Sequence, residues 1–181
     1  MLLKVYPLST HQWAAKQQQN ILAYREFVNE FVISQNARCG YPASTDIPSP
    51  IDTTWKNSTE CVDKENESVW SRSFGDSDVR EIIWKDVERT YSEMDFFYVH
   101  NRAVMARLLY VFCKLNSYVL YVQGMNELLA PLLYAFAEGE SQLEQEVSEG
   151  VEADTFFAFS NLMSEMRDLF LRQMDKTTSG M

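Results

Sequence analysis

Between Ala153 and Met174 the chain places Phe156, Phe157, Phe159, Leu162, Met163, Met166, Leu169, Phe170 and Met174 around more than half the circumference of a helix. A surface helix needs a narrower stripe. Left to water, so wide an apolar face would aggregate, so the segment requires helical layers on more than one side or a partner from outside the chain. The rest of the sequence suits such layers. Only 6 glycines and 5 prolines punctuate 181 residues, too few for the frequent turns of an all-β sandwich, and the 46% hydrophobic content is enough for a core of ordinary size. The chain is therefore expected to be an all-α domain extending over residues 1–181.

Helical spacing recurs along the chain. Trp13, Ile21, Tyr24, Val28 and Phe31 predict a helix from His11 to Ser34, with Ser9 or Thr10 as its hydroxyl cap. Residues 35–73 are rich in Pro, Ser, Thr, Asn and Asp without a sustained period, and read as one long loop from which Trp55 and Trp70 pack back onto the domain. Asp76 or Ser77 then caps a helix with Val79, Ile83 and Val87 on one face and Arg80, Glu81, Lys85, Glu88 and Arg89 largely elsewhere. A third helix, Val99 to Asn116, buries Leu108, Leu109, Val111, Phe112 and Leu115. The fourth, Val122 to Ala137, contains Pro131, which is expected to kink or interrupt it near Glu127 to Leu128. Residues 138–151 carry glutamates without a basic residue and read as a solvated, mobile connection.

Charge and cysteine usage exclude several functions. Sixteen Lys and Arg against 26 Asp and Glu give a net charge of −10, which disfavours a nucleic-acid backbone or an anionic membrane surface as partner. The most apolar run, Leu128 to Ala137, is about half of a bilayer span, and no signal peptide opens the chain. A cytoplasmic protein is expected. The sequons at Asn57 and Asn66 are then chance matches. Cys39, Cys61 and Cys113 lack CxxC spacing, and His11 and His100 lie far apart, so neither a disulfide framework nor a metal site is indicated.

Three constellations could carry chemistry. Cys113 and His100 stand thirteen residues apart on one predicted helix, which separates them by ~20 Å at the helical rise and rules out a nucleophile and base pair. Asp86, Glu88, Glu93 and Asp95 could bind a cation, but Asp86 pairs readily with Arg89 and a charged helix face explains the group. The third is Arg89 with Gln123. Phosphoryl transfer asks of a protein little more than positive charge against developing oxyanions and a group that orients the attacking water. Arginine supplies the first and glutamine the second.

The sequence around those two residues is distinctive. Ile83-x-x-Asp86-x-x-Arg89-Thr90 and Tyr121-x-Gln123-Gly124-Met125-Asn126 resemble the IxxDxxRT and YxQGM signatures of the TBC domain, the module of Rab GTPase-activating proteins. LLKVYPLSTHQW and ADTFFAFSNLMSEMRDLF resemble two further family segments, and KLNSYVLYVQGMNE with EADTFF narrows the likeness to one member of the family.

The resemblance implies an all-helical fold and a GTPase activator whose catalytic groups act in trans. Arg89 would be the arginine finger and Gln123 would position water in place of the GTPase's own glutamine. Asp86 would hold the guanidinium, Thr90, Tyr121 and Asn126 would support that shell, and Gly124 would free the backbone beside the glutamine. The implied partner is a Rab-family GTPase bound to GTP, on endomembranes reached through that partner. Nucleotide and Mg²⁺ would belong to the GTPase, so no cofactor is expected on this chain. The family's opening Arg-x-x-x-Trp element and its C-terminal lobe, with a third signature, are not found here. The chain is thus expected to be a truncated N-terminal lobe, and a catalytically impaired Rab-binding or protein-interaction module is the alternative role.

Overall fold

The computed structural model describes residues 5–7, 9–34, 76–116 and 121–178, with side chains described from Asp78 in the second helix and up to Met166 in the last. The long loop predicted over 35–73, with Trp55 and Trp70, lies outside the described residues. Among those described, every regular element is helical, as the sparse glycine and proline foretold.

Helix α1, Trp13–Val28, is entered by a 3₁₀ turn at Thr10–Gln12 and continues into a π-helical turn at Asn29–Ile33, so the helical path matches the predicted His11 to Ser34. Its cap does not. Ser9 occupies the cap position, but its hydroxyl meets Nδ1 of His11 at 2.6 Å instead of a backbone amide. The buried stripe is Asn20, Tyr24, Val28 and Val32, whereas Trp13 and Leu22 are exposed. Helix α2, Asp76–Arg89, starts at the residue expected to precede it, and on its exposed side Glu81 pairs with Lys85, four residues on, at 2.6 Å.

The third predicted helix divides in two. A π-helical turn, Phe96–His100, ends at Asn101, and α3 then runs from Arg102 to Leu115. Ten consecutive residues of α3, Val104 to Cys113, are buried, which makes it the central helix, while Leu115 at its end is exposed, contrary to expectation. Helix α4, Met125–Gly139, passes through Pro131 without interruption. The ring removes a donor to the Glu127 carbonyl, but Pro131 and Glu127 are both exposed, where solvent can supply the missing donor.

Helix α5, Glu149–Thr178, is the broad apolar helix, longer than the predicted Ala153 to Met174, and over its described side chains, up to Met166, it is covered on more than one side. Phe156 packs on Tyr24 of α1 with ring centroids 5.0 Å apart, Phe159 meets Phe112 of α3 edge-on at 5.0 Å, and α4 packs along it as well.

The acidic connection is not a free tether. Asn101, fully buried, donates to the carbonyl of Gln145 at 3.2 Å and accepts from the amide of Val147 at 2.9 Å. Arg25 pairs with Glu149 through two contacts of 2.8 and 2.6 Å. Gln17 reaches both Glu140 and Asp154 at 3.2 Å. Just beyond the connection, Glu152 and Asp154 turn inward. Arg107 grips Glu152 with both ends of its fork, at 2.6 and 2.8 Å, and the Tyr24 hydroxyl adds a third donor at 2.7 Å. Asp154 accepts from Asn20 at 3.0 Å and from the Tyr6 hydroxyl. The glutamates of the link itself, Glu138, Glu140, Glu144, Glu146 and Glu149, are exposed, whereas Glu152 and Asp154 beyond it find donors on α1, on α3 and at Tyr6, far away in sequence.

Arg107 and Glu152 are each only 7% exposed at the side chain. Arg107→Ala leaves a buried carboxylate without its counter-charge and is expected to lower the unfolding free energy by about 3–5 kcal/mol, whereas replacing both partners with apolar residues of similar volume should cost far less. Urea denaturation of the two variants separates these outcomes.

Candidate functional site

The two signature segments meet at one end of the bundle, where α2 stops and α4 begins. Helix α2 terminates at Arg89, and its last buried carboxylate, Asp86, lies on the same face as Ile83 because the two are three residues apart. Asp86 is 2% exposed and Arg89 is 60% exposed at the side chain, so the ion pair between them has a buried base and a solvent-facing cation. The guanidinium Nη2 contacts Asp86 Oδ1. The chain turns sharply after the arginine, with Tyr91 in the left-handed region at φ 44° and its ring stacked on Phe97 at 5.3 Å.

Across from α2, the segment before α4 adds three more groups. The Tyr121 hydroxyl donates to Asp86 Oδ2 at 2.8 Å, and the Gln123 amide nitrogen stands 3.5 Å from Asp86 Oδ1. Gln123 itself is exposed. Burial first, and then the bond to the Asp86 carboxylate, push the Tyr121 hydroxyl well above the ordinary tyrosine range, so it stays protonated and acts as a donor.

Asn126 bolts the two segments together. Its Nδ2 donates to Thr90 Oγ1 at 2.8 Å, while its Oδ1 accepts from the Gly124 amide at 3.1 Å and lies 3.3 Å from the oxygen of the Tyr121 hydroxyl, whose one proton is given to Asp86. Thr90 in turn donates to the Asp86 carbonyl at 2.7 Å. Both residues are buried, and their side chains form a polar seam with each donor matched to an acceptor.

Gly124 explains where α4 begins. Its φ of +103° is open to glycine and strained for other residues, and it makes the corner between the segment that carries Tyr121 and Gln123 and the helix that follows. The helix therefore starts at Met125 and not at the predicted Val122, which leaves Gln123 outside the helix on an exposed turn.

All seven residues singled out in the two signatures, Asp86, Arg89, Thr90, Tyr121, Gln123, Gly124 and Asn126, fall within this one site. Glu88, Glu93 and Asp95 do not join it, and no group of acidic, His or Cys residues among those described could hold a metal ion. Cys113 is buried near the centre of α3, where burial alone pushes its thiol up to about 12, so it is no nucleophile. Sequence reading missed Arg80, assigned to the polar side of α2. It is buried, with its guanidinium 4.4 Å over the Tyr110 ring and Nη2 donating to that hydroxyl at 2.9 Å. The signal was available, since Arg80 shares the three- and four-residue spacing of Ile83, Trp84 and Val87.

Comparison with known proteins decides the family. The family model described as the Rab-GTPase-TBC domain matches residues 45–180. The chain belongs to that family. This TBC domain chain is 47% identical over 77 residues to TBC1 domain family member 13 of Mus musculus, covering 42% of the chain and 18% of that protein. Member 13 is the relative to which KLNSYVLYVQGMNE and EADTFF pointed. TBC1 domain family member 5 of Mus musculus is 27% identical over 185 residues, covering 94% of the chain and 21% of that protein. TBC1 domain family member 5 homolog B of Dictyostelium discoideum is 34% identical over 137 residues, covering 66% and 13%. The TBC chain thus spans about a fifth or less of each of these relatives. No solved structure matches it. No helix among the described residues is long and apolar enough to cross a membrane.

Two outcomes follow from this geometry. A Cβ at Gly124 would meet nothing within 4 Å, so Gly124→Ala meets backbone strain alone, an expected loss of about 1–2 kcal/mol by thermal or chemical unfolding. For Cys113 the folded thiol titrates above its ordinary value of 9.0, so stability is full well below pH 9 and falls as pH rises toward 12. Between pH 8 and 9, below the ordinary tyrosine value of 10.0, unfolding free energy should begin to decline, with a slope that stays under the limit of about 1.4 kcal/mol per pH unit, and Cys113→Ala should lessen that decline.

Proposed function

We propose that this TBC chain accelerates GTP hydrolysis by a Rab-type GTPase in its GTP-bound form, with Arg89 and Gln123 entering the nucleotide site in trans. What supports the reading above all is the convergence of an exposed arginine and an exposed glutamine on one buried carboxylate, Asp86. Both side chains are exposed. Each projects from a rigid base toward solvent, which is the placement a group needs if it is to act on another molecule.

In this mechanism the guanidinium of Arg89 neutralises charge that builds between the β- and γ-phosphates, and Gln123 orients the attacking water. The nucleotide and Mg²⁺ belong to the GTPase, and this chain contributes only side chains and their support. Asp86 aims Arg89, Tyr121 holds Asp86, and the Thr90–Asn126 seam fixes the distance between the two signatures. Control of a Rab's GTP lifetime would place the protein in the regulation of vesicle traffic, at endomembranes reached through the GTPase.

The test is single-turnover GTP hydrolysis by a panel of Rab-type GTPases with the chain, Arg89→Ala and Gln123→Ala. The unmutated chain should accelerate hydrolysis by at least one GTPase, and Arg89→Ala should remove most of that acceleration, on the scale of ~10³ to 10⁵ for an arginine finger. A chain that binds a GTPase but leaves its hydrolysis rate unchanged refutes the activator reading and identifies a binding module instead.

A further inference from the structure

The two exposed side chains of the site are not independent of each other. Asp86 offers two oxygens, and the Tyr121 hydroxyl occupies Oδ2 at 2.8 Å. Oδ1 is left to serve both Arg89 and Gln123. The guanidinium holds that oxygen closely, and the Gln123 amide stands at 3.5 Å, the outer limit of a hydrogen bond.

We infer that Asp86 Oδ1 is handed from Arg89 to Gln123 when the guanidinium is drawn away, so that departure of the arginine is what fixes the glutamine. The inference rests on the function proposed above, in which a phosphate group draws Arg89 outward. A carboxylate with 2% exposure that loses its cation cannot turn to bulk water for compensation, and leaving it short of donors is costly. The Gln123 amide, 3.5 Å from the same oxygen, is a donor already within reach to replace the guanidinium.

The exchange also decides which way the glutamine faces. An ionised carboxylate only accepts, so the amide nitrogen must be the end turned to Asp86, and the carbonyl oxygen is the end turned from it. That oxygen is the acceptor a water needs if one of its O–H bonds is to be aligned. Asp86 is therefore a positioning residue for Gln123 as well as for Arg89, and it serves the two in succession.

Nuclear magnetic resonance of the chain labelled at glutamine side-chain amides tests this directly. Arg89→Met removes the guanidinium and keeps an apolar stem at a largely exposed position, so the fold should persist and be visible in the backbone spectrum. The expected result is a downfield shift of the Gln123 amide protons and slower exchange with water in Arg89→Met. Both changes should shrink when Asp86→Asn is added. A Gln123 resonance that stays in place in Arg89→Met, or that moves equally with and without Asp86→Asn, overturns the hand-off. A single-turnover hydrolysis assay on the same samples reads the activity separately. Absence of stimulation by the unmutated chain would defeat the proposed function, while the resonance still decides whether Asp86 passes between the two side chains.

Discussion

A carboxylate sealed inside a helical bundle imposes conditions on everything near it, because each of its oxygens must find donors that water would otherwise supply. Asp86 meets that demand from two directions. Arg89 comes from its own helix, one turn onward, and Tyr121 and Gln123 come from the segment before α4. The demand for donors thus draws two stretches of chain, separated by the whole of α3, into one site. The packing of α2 on α3 and of α4 on α5 brings the two ends close enough for this to happen, and Asn126 locks the remaining freedom by joining Thr90 to the Gly124 amide.

A second buried carboxylate organises the start of α5. Glu152 gathers Arg107 from α3 and Tyr24 from α1, and Asp154 two residues on gathers Asn20 and Tyr6. These contacts fix the start of α5 against α1 and α3, so the broad apolar face that follows is delivered to the core at a defined angle. Acidic residues near a helix N-terminus also suit its dipole, and Glu149 and Glu152 both lie in the first turn of α5.

The helical class and the site members were legible in the sequence because both depend on local order. Apolar spacing gave α1 through α5, and the two signatures put every member of the site within short runs. What the residues alone hid were the long-range partners. The donors of Glu152 and Asp154 lie on α1, on α3 and at Tyr6, and although the spacing of Arg80 put it on the buried face of α2, nothing near it in sequence names Tyr110 as its partner. Helix boundaries failed for a similar reason. Val122 and Gln123 fit a helical period, but the backbone of Gly124 turns the other way, and conformation overrode periodicity.

That corner has a consequence for how the site could change. Around Gly124 there is empty space, so the restriction is one of handedness and not of volume. A mirror-image alanine would satisfy the same backbone that an ordinary alanine strains. Among the twenty encoded residues only glycine lacks a hand, and so this turn, which sets Gln123 before the start of α4, has one unstrained solution in a place roomy enough for several side chains.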